Sequence, residues 1–109
     1  MRLLSRKEEM LLLAIRNLQD EDRAYGITIQ DHIAQTTGVR WMFGAIYSPL
    51  GRLVDHGYVE TYESAPLPEP GGRRKILYRL TPTGLRALLG QRRINAALWQ
   101  AGPEPAEEK

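Results

Sequence analysis

Apolar residues recur every three or four positions through Leu11, Leu12, Ile15 and Leu18, a broad stripe that predicts an amphipathic helix running to about Leu18. Ser5-Arg6-Lys7-Glu8 has the layout of a capping box in front of it. The Ser5 hydroxyl can accept from the Glu8 N–H while the Glu8 carboxylate reaches back to the Ser5 N–H. The charged run QDEDR ends this helix. A second, shorter helix is expected within AYGITIQDHIAQTTG, with Ile29 and Ile33 as its buried pair and Gly38 as its stop. A third falls within FGAIYSPLGRLVDHG. There Ile46, Leu50 and Leu53 sit at i, i+4 and i+7, Val54 widens the face, and Gly57 can take the left-handed conformation that ends it. With about 3.6 residues per turn, the side opposite that face carries Gly44, Ala45, Ser48, Arg52 and Asp55. An interior proline costs about 3 kcal/mol, and Pro49, in the second turn, is expected to bend this helix rather than end it.

The period then changes. YVETYE and RRKILYRL read as two strands, joined by SAPLPEPGG, whose three prolines and two glycines bar a helix and suit a long hairpin loop. Thr81 caps a last helix, with Pro82 at its first position, where a missing N–H does no harm. The order predicts a mainly α fold with a small β-hairpin. Residues 1–80 would form a winged helix-turn-helix, residues 81–100 a C-terminal dimerisation helix, and residues 101–109 a disordered acidic tail. In a winged helix the third helix enters the major groove and the wing lies along the phosphates.

Charge distribution sharpens this reading more than the net charge of +2 does. No acid occurs between Glu69 and Glu104, an interval that holds Arg73, Arg74, Lys75, Arg79, Arg86, Arg92 and Arg93. Clustered cations at a glycine-flanked hairpin tip point to a polyanion partner. At 109 residues the chain is one small domain. With no Cys, disulfides and thiolate metal sites are excluded, and His32 and His56 lie on different helices, so no metal or cofactor is expected. No apolar run reaches the roughly 20 residues of a membrane span, and Met1 to Ala14 lacks the layout of a signal peptide. The expectation is a cytoplasmic protein without membrane contact. Nothing resembles a nucleophile with its base, a phosphate loop or a carboxylate pair, so no enzyme is expected.

The last helix carries a second pattern. Leu85, Leu89, Arg92, Ala96 and Trp99 follow a 4-3-4-3 seam, with Ile94 and Leu98 nearly opposite. A helix apolar on two faces needs two things to bury against. The protomer supplies one and a second subunit the other, unless the first helix folds across both in a monomer.

Three stretches resemble the PadR family of bacterial winged-helix transcriptional regulators: YGITI entering the second helix, GAIYSPLGRLVDHGYV for the third, and GGRRKILYRLTPTG for the wing and the cap of the last. The resemblance extends over about residues 5 to 100, and the single short C-terminal helix is similar to the family's smaller subgroup, whose members dimerise through the first and last helices. It implies a homodimeric repressor that binds a pseudo-palindromic duplex operator and is released by an effector. Tyr47 would meet a DNA phosphate, Ala45, Ser48 and Arg52 would face bases or backbone, and Arg73, Arg74 and Lys75 would be the wing contacts. The dimer interface would join Leu11 and Ile15 to Leu85, Leu89, Arg92, Ala96, Leu98 and Trp99, with Trp99 also a candidate contact for a flat aromatic effector. Gly51 and Val54 stand where longer polar residues are commoner, and Leu77 where an aromatic is usual. Plainer roles compete. Tyr47 could cap the core, Arg52 could pair with Asp55 or Asp31, and Trp41 and Phe43 read as core or hinge packing. The alternative for the whole chain is a winged helix used as a protein-interaction module.

Overall fold

Local capping chemistry sets the element boundaries in the computed structural model, which describes residues 2–65 and 74–106. Ser5 and Glu8 close the predicted box: Glu8 N–H donates to the Ser5 hydroxyl at 3.1 Å and Ser5 N–H to the Glu8 carboxylate at 2.8 Å. Helix α1 then runs Arg6–Leu18. A short 3₁₀ turn, Asp20–Asp22, follows, with Glu21 and Asp22 both at positive φ. Helix α2 spans Gly26–Thr37 and ends on Gly38 at φ 80°. Helix α3 spans Phe43–Asp55 and passes through Pro49 without stopping. At its end Tyr58 N–H donates to the Leu53 carbonyl and Gly57 N–H to that of Val54, with Gly57 at φ 74°. Those two bonds form a Schellman closure, as the left-handed glycine predicts.

Strands β1 (Val59–Glu63) and β2 (Ile76–Leu80) pair antiparallel, from Val59 opposite Leu80 to Glu63 opposite Ile76. The second strand is shorter than its sequence pattern, since Arg74 and Lys75 precede it. Its free edge is not bare. Tyr78 N–H donates to the Ala24 carbonyl at 2.8 Å, and Leu80 N–H to the Gln19 side chain at 2.9 Å. The Tyr62 hydroxyl donates to Asp22 at 2.8 Å. The base of the wing is therefore tied to the α1–α2 connection, and an edge that would otherwise invite pairing is covered.

The core is a single cluster in which Leu11, Leu12 and Ile15 of α1, Ile29 and Ile33 of α2, and Ile46, Leu50 and Leu53 of α3 meet Val59, Tyr78 and Leu88. Helix α4, Pro82–Ala101, starts inside this packing, because Gly84 and Leu88 are buried. The Thr81 hydroxyl accepts from Gly84 N–H at 3.0 Å, the predicted cap. Packing thus continues across residue 80. At the far side Gln91 donates to the Leu4 carbonyl at 2.9 Å and accepts from Leu4 N–H at 3.3 Å, which clasps the N-terminal arm to α4. Gly102 to Ala106 carries no regular secondary structure.

Candidate nucleic-acid interface

Helix α3 turns Ile46, Pro49, Leu50 and Leu53 inward, which leaves Gly44, Ser48, Gly51, Arg52 and Asp55 exposed and Ala45 half-buried. Arg52 pairs with neither Asp55 nor Asp31. Its guanidinium donates to the Ser48 hydroxyl at 3.1 Å, while Asp31 is held by Arg40 at 2.9 Å. Ser48 and Arg52 therefore form one outward-facing unit with spare donors.

Tyr47 is half exposed at the flank of α3 and reaches across to the start of α2. A Cβ on Gly26 would lie 2.0 Å from the Tyr47 hydroxyl, so only glycine lets the phenol cross there. The Tyr47 ring, Tyr25, Ile27, Lys75, Ile76 and Tyr78 line a depression of about 380 Å³ at the wing base. The Lys75 ammonium sits 4.1 Å from the centroid of the Tyr25 ring, a cation–π contact that holds it beside this depression. Burial, and then the neighbouring Tyr47, pushes the Tyr78 phenol above its ordinary pKa of 10.0, so it stays neutral. A hydroxyl, a cation and the N-terminal turn of α2 thus share one concavity, which matches the chemistry of a phosphate oxygen.

The wing is less purely cationic than its sequence. Arg74 pairs with Glu63 at 3.3 Å and Arg79 with Glu60 at 2.8 Å, both pairs exposed. Arg73 lies outside the described residues, as does the rest of the hairpin tip at 66–72.

The candidate dimer surface needs one correction. Leu11 and Ile15 have no exposed surface at all. They face the protomer's own core, because α1 is the central helix against which α2 and α3 pack, and they are not available to a partner. The large apolar residue that α1 leaves on the surface is Leu13, 38% exposed. With Leu85, Leu89, Arg92 and Ala96 it lines a groove of about 460 Å³ between α1 and α4. Farther along, Leu98 and Trp99 are about 70% and 69% exposed beside a shallow depression bounded by Gly102 and Pro103. Ile94, one turn before Leu98 on the same side of α4, is half-buried. The second apolar face read from the sequence is present and uncovered in the single chain.

Trp41 packs against the core, with its carbonyl accepting from Gln30 at 2.7 Å. Phe43 departs from its expected packing role and is exposed. Gly26 and Tyr25 belong to the concavity at the wing base, which the motif YGITI by itself does not reveal. The only signal was a glycine at a helix start. Among the described residues no three His, Asp or Glu side chains are placed to hold a metal ion, and no helix is long and apolar enough to cross a membrane.

Comparison with known proteins adds a family to this geometry. Residues 13–89 match the "Transcriptional regulator PadR-like family". Among solved structures the chain is similar to a PadR-like transcriptional regulator from Bacillus cereus, at 21% identity and a TM-score of 0.68, over 86% of this chain and 84% of that one. It is also similar to a PadR family transcription regulator from Clostridium difficile, at 22% identity and a TM-score of 0.62, over 86% and 95%. A PadR-like transcription factor from Bacteroides fragilis matches at 19% identity and a TM-score of 0.63, over 89% and 93%. No curated protein matches the sequence.

Proposed function

Because the chain belongs to the PadR-like family of transcriptional regulators, we propose that it acts as a homodimeric repressor. It binds a pseudo-palindromic duplex operator and is released by an effector. One observation carries the DNA-binding part. The outward face of α3 holds no acid before Asp55 and continues into the concavity shared by Tyr47, Lys75 and the start of α2. In this reading Ser48 and Arg52, with Ala45 beside them, face base edges. Tyr47 and Lys75 take phosphates, and Arg74 leaves Glu63 for the backbone, with Arg73 beside it. Phosphate contacts set register, while base contacts carry sequence information.

Dimerisation is supported by the uncovered apolar positions of α4 and by the groove that Leu13, Leu85 and Leu89 form. A symmetric pair would place two copies of α3 on one duplex. Trp99, exposed near the end of α4, is the candidate contact for a flat aromatic effector between subunits. Repression and effector release rest on the family resemblance.

Selection of bound duplexes from a randomised library tests the proposal. The expected product is an inverted repeat with half-sites about one helical turn, or a multiple of it, apart. Absence of any enriched sequence would contradict it.

A further inference from the structure

Met42 and Phe43 leave apolar surface uncovered at the start of α3. Met42 is 81% exposed and Phe43 44%, at the cap and first position of α3, whereas Trp41 beside them packs against the core. Isolated exposed apolar residues are common and need no account. These two are adjacent, and they stand at the leading end of the helix assigned above to the major groove. The N-terminal residues of such a helix are the ones that meet base edges. The Phe43 ring also leans on that of Tyr47, with centroids 6.0 Å apart, so its position is set relative to the phosphate-facing concavity.

The surroundings decide what this apolar edge can meet. No acid lies between Arg40 and Arg52 in the chain, the first turn of α3 holds none, and Lys75 stands beyond Tyr47. Such a border complements a polyanion. In the major groove of duplex DNA the bases offer hydrogen-bonding atoms and one apolar group, the C5 methyl of thymine. Phe43 has no hydrogen-bonding side-chain atom and Met42 only a weakly accepting sulfur. We propose that Met42 and Phe43 are specificity-determining residues that read thymine methyl groups, favouring A·T pairs at the positions they reach. This rests on the reading that α3 binds duplex DNA.

The test uses the intact protein and the duplex enriched from a randomised library. Replacing each thymine in turn by deoxyuracil removes only the methyl group. Wild-type protein should lose about fourfold in affinity for each methyl it buries, at one or two positions per half-site. The Met42→Ala/Phe43→Ala double variant should bind thymine and uracil duplexes equally there, while keeping the wild-type thermal midpoint. Equal wild-type affinity for thymine and uracil duplexes would overturn the inference and leave DNA binding standing. An unchanged thymine preference in the double variant would do the same by placing the reader elsewhere. Failure to enrich any duplex would remove the DNA-binding reading and this inference together.

Discussion

Gly26 and Tyr47 depend on each other, and the dependence separates folding from binding. A methyl at Gly26 would meet the far end of a half-exposed side chain, which can swing aside at little cost in stability. Gly26→Ala should therefore shift the thermal midpoint by only a few degrees, in keeping with about 1 kcal/mol or less. It should still weaken duplex binding as Tyr47→Phe does. A hydrogen bond to a charged group is worth about 1.5–3 kcal/mol, so each variant should lose roughly tenfold or more, read by fluorescence anisotropy. Glu8 is the residue whose charge matters to the fold. Burial alone would raise its pKa, but hydrogen bonds from Arg2 and from Ser5 N–H hold the carboxyl below its usual 4.5. A depressed carboxylate stabilises fully above its unfolded value and loses that contribution as pH falls through the folded one. Glu8→Ala should cost about 1 kcal/mol at neutral pH, and denaturant midpoints of variant and parent should converge once the pH drops well below 4.5. The capping box was legible in the sequence because it is local, spanning four residues. Gly26 was not, since its partner lies 21 positions away on another helix.

At the scale of elements, the hairpin and α4 are held by close approaches rather than by propensity. A Cβ on Gly84 would lie 2.0 Å from the Tyr58 carbonyl oxygen, which is backbone and cannot turn away. Helix propensity favours Ala over Gly by about 1 kcal/mol, but overpacking against a fixed atom costs about 1–3 kcal/mol or more. The clash should win, and Gly84→Ala should lower the urea midpoint; a raised midpoint would mean that α4 docks more loosely. Helix order, caps and the hairpin were readable from periodicity and turn residues. The burial of Leu11 and Ile15 was not, because an apolar stripe does not say whether it faces its own protomer or a neighbour. Nor was the link from β2 to Ala24, which depends on a backbone edge and leaves no mark on side-chain pattern. Phe43 shows the same limit from the other side, since an aromatic residue before a helix looks like packing until its exposure is known.

For the molecule as a whole, the extents of 59 × 35 × 24 Å reflect a 20-residue α4 that leaves the core after Gly90 with Leu98 and Trp99 uncovered. A chain cut after Gly90 should keep the winged helix yet sediment as a monomer. Loss of the second half-site should then cost operator affinity by up to about 10²–10⁴-fold. A truncated chain that stays dimeric would reassign the interface. The central claim is that α3 and the wing meet a phosphate backbone, and the salt dependence of duplex binding measures that contact directly. Arg73, Arg74 and Lys75 from two subunits would neutralise about six phosphates, giving a log–log slope of affinity against salt near −5. Exchange of the exposed Glu63 partner of Arg74 for phosphate is included in that slope. Arg73→Ala/Arg74→Ala should flatten it without changing the preferred sequence, and a slope near zero for the parent protein would contradict the account.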